Sequence, residues 1–428
     1  SPTRTLPKTP DRSDAFVLPP PQIKRRQDGV FLAAWPRRGA TAAVGVFVMG
    51  GSRDESPEQA GAAHALEHML FKGTARRDAR AIAEAIDQLG GGVDAWTSRE
   101  RIALHAHVPW PDWQAALALL EELAYAPSFP AQEWAREREV IFAEMAMVAD
   151  DFSEWAHDAH MQMSFPDAFG APILGREATL ARLSSEDLAA FHAQMFTAPN
   201  VLIAAVGPEL AALEAALSAD APSSGSPRAH EAPAFAPGVH TAPRRVQQVA
   251  ILLTILLPVR PWREELVDAV LGAALGGGAS AWLFRRIREE RGLAYSVHAQ
   301  WTRWDAAAAA EIEVFTEAEK AKPCAEALRE ALATLPEALD EATVRLAKRQ
   351  IEVGIWMAME RPMRLLDRLA DAFVAEIPAP GAVLGALRAI EPQAVRARAE
   401  AWLEAPRAIT VAGHPRGVRE AARVLARL

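Results

Sequence analysis

The sequence has only one cysteine, Cys324, among its 428 residues. A single cysteine cannot form a disulfide within the chain, and it implies neither an oxidising compartment nor a thiolate metal cluster. No apolar run reaches the roughly 18 residues of a membrane-spanning helix. Residues 1–21 are polar and proline-rich, without the apolar core of a signal peptide. We therefore predict a cytoplasmic protein. The chain starts at Ser1 rather than Met, so the alternative is a periplasmic or secreted protein from which an export signal has been removed.

A surplus of basic charge is also lacking. The chain has 46 Lys and Arg against 55 Asp and Glu, a net charge of -9 and a pI near 5.7. Proteins that bind nucleic acids normally carry a basic patch or stripe. The nearest basic block is Lys24–Arg26, and solubilising the start of a strand accounts for it. We therefore predict no nucleic-acid partner and no membrane span.

Apolar residues are plentiful, at 50% of the chain, and can supply more than one core. The length suits two domains of about 200 residues each. Residues 218–245 are rich in Pro, Ala and Ser and show neither helical nor strand periodicity, which predicts an exposed linker. We predict an N-terminal extension over residues 1–25, a first domain over 26–217, this linker, and a second domain over 246–428.

A weak internal repeat connects the two predicted domains. The apolar run 42–48 resembles 248–254, and both are typical of buried strands. A second pair of runs, 201–207 and 408–413, ends each domain with a strand that leads into glycine. Chance similarity between alanine-rich stretches is the alternative. The repeat and the alternation of strands with amphipathic helices predict an α+β protein with two homologous domains, each a mostly antiparallel sheet packed with helices.

The segment GAAHALEHML contains an H-x-x-E-H motif formed by His64, Glu67 and His68. Residues four apart lie on one face of a helix, so both imidazoles can bind one zinc ion at about 2.0–2.1 Å. Glu67 lies one turn from His64, where it can take a proton from a zinc-bound water. The alternative is two ordinary histidines on a helix, since short motifs also arise by chance.

A catalytic zinc needs a third protein ligand. Glu137 and Glu144 lie on a predicted helix and fall on an apolar stripe through Val140, Ile141 and Val148. A carboxylate on a buried stripe is costly unless it is paired or bound to metal. We therefore predict Glu144 as the third ligand and Glu137 as a partner that orients a ligand or the water.

Two alternatives bear on this region. Both carboxylates could instead form ion pairs with the neighbouring Arg136 or Arg138. His157 and His160, three residues apart, could mimic a second metal pair, but no matching carboxylate accompanies them. We predict that these two histidines lie on a solvated helix face.

HALEHMLFKGT, followed by AIAEAIDQLGGGVDAWTSRE, resembles the pitrilysin family of inverted zincins, which includes the mitochondrial processing peptidases and their bacterial relatives. ALGGGASAWLFRRIREERGLAYSV resembles the motif of that family's C-terminal domain. The similarity extends from about Val30 to the end of the chain. It implies that Arg288 and Tyr295 reach across to the active site and hydrogen-bond the substrate carbonyl or its developing oxyanion. The alternatives are a surface ion pair for Arg288 and a core position for Tyr295.

The resemblance also implies an assembly and a substrate class. Two chains would pair as a clamshell that encloses a chamber, with one Zn²⁺ per chain. Unfolded peptides would add a strand to a sheet edge at Asp94, Ala95, Trp96 and Thr97. The family often has Asn where this chain has Asp94. Because one chain carries both motifs, a homodimer is the simpler expectation, and a heterodimer with a related chain is the alternative.

These features together predict a zinc-dependent endopeptidase that hydrolyses short or unfolded peptides in an enclosed chamber. The predicted reaction is attack of a zinc-bound water that Glu67 activates. Two alternatives are a structural or partner-binding subunit with little activity of its own, and a metal-storage protein. The intact metal motif argues against the first, and the absence of His/Cys-rich tracts argues against the second.

Overall fold

A computed structural model describes residues 18–218, 221–374 and 378–428. Most of the predicted N-terminal extension, residues 1–17, lies outside the described residues. The described chain forms two mixed sheets, each covered by helices, so the predicted α+β class with two similar halves is confirmed. No helix in the described ranges combines the length and apolar character that a membrane crossing requires.

The first half contains a six-stranded sheet and eight helices. Its strands are β1 (Gln22–Arg25), β2 (Phe31–Pro36), β3 (Thr41–Met49), β4 (Val93–Thr97), β5 (Arg101–Pro109) and β6 (Val201–Gly207). Its helices are α1 (Ala62–Leu70), α2 (Ala79–Gln88), α3 (Trp113–Tyr125), α4 (Ala131–Asp150), α5 (Phe152–Ser164), α6 (Glu177–Leu180), α7 (Ser185–Met195) and α8 (Leu210–Ala216).

The second half contains a five-stranded sheet and eight helices among its described residues. Its strands are β7 (Gly238–Pro243), β8 (Gln248–Leu257), β9 (Ser296–Arg303), β10 (Ala308–Glu317) and β11 (Arg407–Gly413). Its helices are α9 (Trp262–Gly276), α10 (Ala321–Ala333), α11 (Leu335–Ala338), α12 (Glu341–Met359), α13 (Pro362–Val374), α14 (Pro380–Arg388), α15 (Pro392–Glu404) and α16 (Pro415–Leu425). A short π-helix, Phe284–Glu289, precedes β9.

The two sheets share one topology. The order is β1-β2-β6-β3-β5-β4 in the first sheet and β7-β11-β8-β10-β9 in the second. Each sheet is antiparallel except for one parallel pair of strands. This pair is β2 with β6 in the first sheet and β7 with β11 in the second. The runs paired by the predicted repeat occupy equivalent places, β3 with β8 and β6 with β11. The repeat in sequence is therefore a repeat in structure, with β1 as an addition to the first sheet.

Each half covers one face of the other half's sheet. Helix α13 of the second half packs on β2, β3 and β6, while α5 of the first half packs on β7, β8 and β11. In β3, Ala43 and Phe47 face the core that includes α13, whereas Val44 and Val46 face the helices of their own half. Burial on both faces explains why β3 and β8 are continuous apolar runs rather than alternating ones.

Two strands of the sheets lie in segments that the sequence predicts as an extension and a linker. Strand β1 pairs with β2, so the last four residues of the predicted extension belong to the first sheet. Strand β7 lies within the predicted linker 218–245 and pairs in parallel with β11. Neither strand shows strand-like alternation of apolar residues, because β1 is exposed along its length and β7 is a largely exposed edge.

Candidate metal centre

The H-x-x-E-H motif lies on α1, a nine-residue helix beneath the first sheet. Six apolar residues of this helix are buried in the first-half core: Ala62, Ala63, Ala65, Leu66, Met69 and Leu70. Their burial fixes the direction of the opposite face of the helix. Gly61 starts the helix with φ +98°, and a Cβ there would come within 2.9 Å of the Leu174 carbonyl oxygen. Only glycine fits this start without strain. The helix therefore presents His64, Glu67 and His68 away from the core.

His64, His68 and Glu144 come together across two helices. The Glu144 Oε2 atom on α4 lies 3.7 Å from His64 Nε2 and 3.5 Å from His68 Nε2. The imidazole rings of the two histidines meet edge to face, with their centroids 4.7 Å apart. One ligand atom from each residue can be chosen so that all three lie within 4.8 Å of one another.

Glu137, two helical turns before Glu144 on α4, contacts the side of His68 that faces away from Glu144. Its Oε2 lies 3.0 Å from His68 Nδ1, and its Oε1 lies 2.7 Å from Lys72 Nζ. A carboxylate at Nδ1 fixes the proton there and leaves Nε2 of His68 free to bind a metal. The alternative ion pair with Arg136 is not formed, because Arg136 pairs with Glu133 at 2.8 Å.

The buried stripe of α4 is displaced from the predicted one. Trp134, Glu137 and Ile141 are buried, whereas Val140 is 45% exposed. The placement of Val140 on the buried stripe was therefore wrong. An exposed valine beside a buried isoleucine is consistent with helical spacing, because adjacent residues differ by about 100° around the axis.

These residues fit a zinc ion. Tetrahedral zinc with bonds of about 2.0–2.1 Å needs ligand atoms about 3.3 Å apart, close to the 3.5 Å and 3.7 Å separations. Burial, followed by the proximity of His68, lowers the pKa of His64 to about 4, so the imidazole is neutral as a ligand must be. Two imidazoles and one carboxylate form a donor set that leaves a fourth position open, as in catalytic zinc sites.

Glu67 lies beside the metal ligands without being one of them. Burial raises the pKa of its carboxyl group, and Asp94 and Glu144 act in the same direction, while Thr97 and His68 oppose them. Glu67 and His64 line a cavity of about 510 Å³ together with Trp96 and Thr97. A free carboxylate at the edge of a metal site and a cavity is well placed to move a proton.

Strand β4 supplies the predicted substrate-binding residues. It is an edge strand of the first sheet, and α1 packs against it. Asp94 is exposed, Ala95, Trp96 and Thr97 are half-buried, and the last two line the cavity. An edge strand beside a cavity can accept an added strand.

Comparison with known proteins assigns the chain to a family. The model described as insulinase, peptidase family M16, matches residues 33–175, and the model described as the peptidase M16 inactive domain matches residues 182–351. The chain belongs to the insulinase family. The resemblance to pitrilysin-like inverted zincins is thereby confirmed.

Relatives of this insulinase-family chain carry names that mention zinc. An uncharacterized zinc protease of Mycobacterium leprae is 32% identical, over 77% of this chain and 76% of that protein. An uncharacterized zinc protease of Bacillus subtilis is 30% identical, over 77% of this chain and 81% of that protein. A crystal structure of a peptidase M16 inactive domain from Pseudomonas fluorescens has a TM-score of 0.82 at 22% identity, covering 92% of this chain and 98% of that chain, which shows the shared fold. Family membership and these names support zinc peptidase activity.

Arg288 and Tyr295, the residues of the family's second motif, belong to the second half of the chain. Arg288, on the π-helix, is exposed and stacks on the Phe284 ring at 4.9 Å. Tyr295 is 48% exposed and rests against Phe315, with 6.3 Å between ring centroids. Among the described residues, neither lines the cavity that holds His64 and Glu67. Tyr295 is thus no core residue, and its predicted reach to an active site stays a prediction.

The two histidines of α5 differ from each other. His160 is only 4% exposed and lies between the hydroxyl groups of Thr254 and Thr410, each at 2.8 Å. The prediction that it lies on a solvated face was wrong, because α5 is sandwiched against the second sheet. His157 is 46% exposed in its side chain, pairs with Glu313 at 2.9 Å and lines the cavity.

Several residues of this region carry no sequence signal that we recognised. Glu154, Asp158 and Glu311 face the cavity together with Arg99, and Trp304 of the second half forms part of the wall. Glu154 and Asp158 lie four residues apart on α5, but Arg99, Glu311 and Trp304 come from three other segments, so no single spacing connects the set. Lys72 follows His68 by four residues but lies two positions past the end of α1, so helical spacing did not indicate it either.

Proposed function

We propose that this chain is a zinc-dependent endopeptidase that hydrolyses short or unfolded peptides within an enclosed chamber. The observation that carries the proposal is the convergence of His64, His68 and Glu144 on one point, with Glu67 left free beside it. That arrangement has the three ligands and the separate base that metal-assisted hydrolysis requires.

The residues of the site divide the work of hydrolysis. A bound zinc supplies a Lewis acid, which polarises the scissile carbonyl and makes water acidic enough to deprotonate near neutral pH. The Glu67 carboxylate takes the proton of the attacking water and then donates it to the nitrogen of the leaving amine. Glu137 holds the Nδ1 proton of His68 and so keeps that ring in its ligating orientation.

Substrate orientation falls to strand β4 in this proposal. A peptide that pairs with Asp94–Thr97 would continue the first sheet by one strand, using main-chain hydrogen bonds that any sequence can form. Only an unfolded or short peptide can offer such a strand. The cavity of about 510 Å³ next to β4 would take one or a few of its side chains.

The active assembly is proposed to be a homodimer with one zinc per chain. Arg288 and Tyr295 are exposed, and neither is among the described residues that line the cavity of their own chain. A second copy that faces the first would bring a Tyr295 and an Arg288 to each metal site, where they could hydrogen-bond the developing oxyanion. A heterodimer with a related chain is the alternative outcome.

Replacement of Glu67 tests the proposed function. The Glu67→Gln variant keeps the shape of the side chain but cannot accept a proton, so we expect full zinc content and a loss of peptide hydrolysis of about 10²–10⁴-fold or more. Metal analysis and cleavage mapping on a peptide library, with and without a chelator, measure both quantities. Glu84→Gln, on the exposed side of α2, is the control.

Two results would count against the proposal. If Glu67→Gln hydrolyses peptides at the wild-type rate, Glu67 is not the base. If the wild-type chain binds zinc but cleaves no peptide, alone or with a partner chain, then a structural subunit is the better description.

A further inference from the structure

Helix α1 begins against the buried side chain of Glu55, which lies in the loop just before it. Glu55 is 7% exposed, and both of its oxygens accept hydrogen bonds from the helix start: Oε1 from Ala63 N at 2.7 Å and Oε2 from Gly61 N at 2.9 Å. The residue at the cap position, Gly61, has no side chain with which to bond these amides. Glu55 therefore performs the task that a local Ser, Thr or Asp usually performs.

This contact matters because of where the metal ligands lie. Ala63, whose amide Glu55 binds, directly precedes His64, and His68 follows one turn later. A nine-residue helix is too short to hold its own first turn in place. Whatever fixes the first turn of α1 thus fixes the direction of the His64 ring.

The segment that carries Glu55 is itself tightly held. The preceding residue, Asp54, accepts hydrogen bonds from Gly51 N at 2.9 Å and Arg228 Nη1 at 2.9 Å. Its Oδ2 also lies 3.2 Å from His230 Nε2, and Nδ1 of that histidine lies 2.8 Å from Asp305 of the second half. The backbone that leads into Glu55 is therefore anchored, through Asp54 and His230, to both halves of the molecule.

We propose that Glu55 is a positioning residue of the metal centre, which sets the geometry of His64 by clamping the first turn of α1. The proposal rests on the metal set proposed above. Glu55 touches neither ligand nor substrate and takes no part in proton transfer. Its effect is expected on the affinity and coordination geometry of the metal, rather than on stability alone.

The test compares Glu55→Gln with Glu58→Gln. The glutamine at 55 keeps the volume and one acceptor oxygen but turns an NH₂ group toward one helix amide. Glu58 is exposed in the same loop, so the same substitution there removes no buried contact. Zinc affinity is measured by chelator competition, and the ligand field by visible absorption of the cobalt-substituted proteins. Thermal unfolding of the metal-free forms is recorded in parallel.

We expect Glu55→Gln to bind zinc about 10–100-fold more weakly, the range found when groups that orient ligands are lost. Its cobalt spectrum should differ from that of the wild type, and Glu58→Gln should match the wild type in both. A variant that is less stable without metal but keeps wild-type zinc affinity and spectrum would overturn the proposal, since Glu55 would then be only structural.

Glu55→Asp serves if Glu55→Gln does not fold, because it keeps the charge and shortens the reach. Weaker zinc binding in Glu55→Asp supports the proposal, whereas wild-type binding, or failure of both variants to fold, overturns it. Affinity is read without turnover. A wild-type chain that binds zinc but hydrolyses nothing therefore defeats the peptidase proposal and leaves this one standing, while a chain that binds no zinc defeats both.

Discussion

Two glutamates of one helix show how surroundings divide roles between identical side chains. Glu137 and Glu144 are separated by two helical turns on α4 and both approach His68. The Glu137 side chain is 10% exposed and is held by Lys72, whereas the Glu144 side chain is 39% exposed. Lys72 and His68 satisfy both oxygens of Glu137. In the part of the chain that the structure describes, Glu144 lies near His64 and His68 and pairs with no Lys or Arg, so its carboxylate is available to a metal.

Removal of Glu144 should therefore remove the metal. The Glu144→Ala variant leaves only two imidazoles, too few to hold a zinc ion tightly. We expect substoichiometric zinc after dialysis and no peptide hydrolysis, measured by metal analysis and peptide cleavage. Glu139→Ala on the exposed face of the same helix is the control. Full zinc occupancy in Glu144→Ala would place the third ligand elsewhere, with Glu137 as the next candidate.

The residues of the metal centre differ in how far the sequence could predict them. His64, Glu67 and His68 lie within one helical turn or so, and helical geometry alone relates them. Glu144 required a second helix and the cost of burying a carboxylate. Glu55 could not be predicted, because its contact depends on a loop that folds back onto the start of α1, and no periodicity describes a loop.

At the scale of elements, helices α5 and α13 connect the two halves. Each of them packs on the sheet of the other half. Strand sequences predicted burial, but not by which helix, because amphipathicity shows that a face is covered and does not identify its partner. His160 is the polar contact at the centre of the α5 interface, bonded to Thr254 and Thr410.

Loss of His160 should destabilise this interface. His160→Leu removes the partner of two buried hydroxyl groups, at a cost of about 1–3 kcal/mol for each group left unsatisfied. Burial lowers the pKa of His160 to about 3. The unfolded chain, with a pKa near 6.5, then binds more protons, so the contribution of neutral His160 is lost as pH falls from about 6.5 toward 3.

Chemical unfolding at several pH values checks this expectation. The wild type should lose stability below about pH 6.5 more steeply than His160→Leu, which has no imidazole to protonate. His157→Leu, on the exposed side of α5, should unfold nearly as the wild type does. Equal unfolding free energies for His160→Leu and the wild type would mean that the α5 interface does not depend on this contact.

At the scale of the whole molecule, the chain between the halves is bound to both of them. His230 lies between Asp54 of the first half and Asp305 of the second. Arg228 pairs with Asp54, and Arg101 pairs with Asp305. Composition predicted an exposed linker here, since Pro, Ala and Ser give no periodicity. The anchoring comes from single charged residues, which such patterns do not reveal.

The contacts of His230 with Asp54 and Asp305 should weaken at alkaline pH. Burial lowers the pKa of His230, but hydrogen bonds to Asp305 and Asp54 outweigh it and raise the pKa to about 9, against opposition from Arg53. A pKa above the unfolded value of about 6.5 stabilises the fold fully below that value, and the gain is lost as pH rises through about 9. Thermal unfolding between pH 6 and 10 should show a larger decline in the wild type than in His230→Gln. If the unfolding temperatures of the two proteins fall in parallel with pH, the titration of His230 does not contribute to stability in this range.

The last expectation concerns which chain supplies Tyr295 to a metal site. If each site of a homodimer takes Glu67 from one copy and Tyr295 from the other, the Glu67→Gln and Tyr295→Phe substitutions affect residues that different copies supply to one site. Coexpression with two affinity tags isolates the mixed dimer, in which one site combines an intact Glu67 with an intact Tyr295. That dimer should recover about half of the wild-type activity, because symmetry gives it two sites of which one is complete.

A mixed dimer of Glu67→Gln with Glu144→Ala should stay inactive, since each metal site then lacks a residue of its own chain. Recovery in neither case would place Tyr295 and Glu67 of the same chain in one site, and the motion that joins them would have to occur within a single copy.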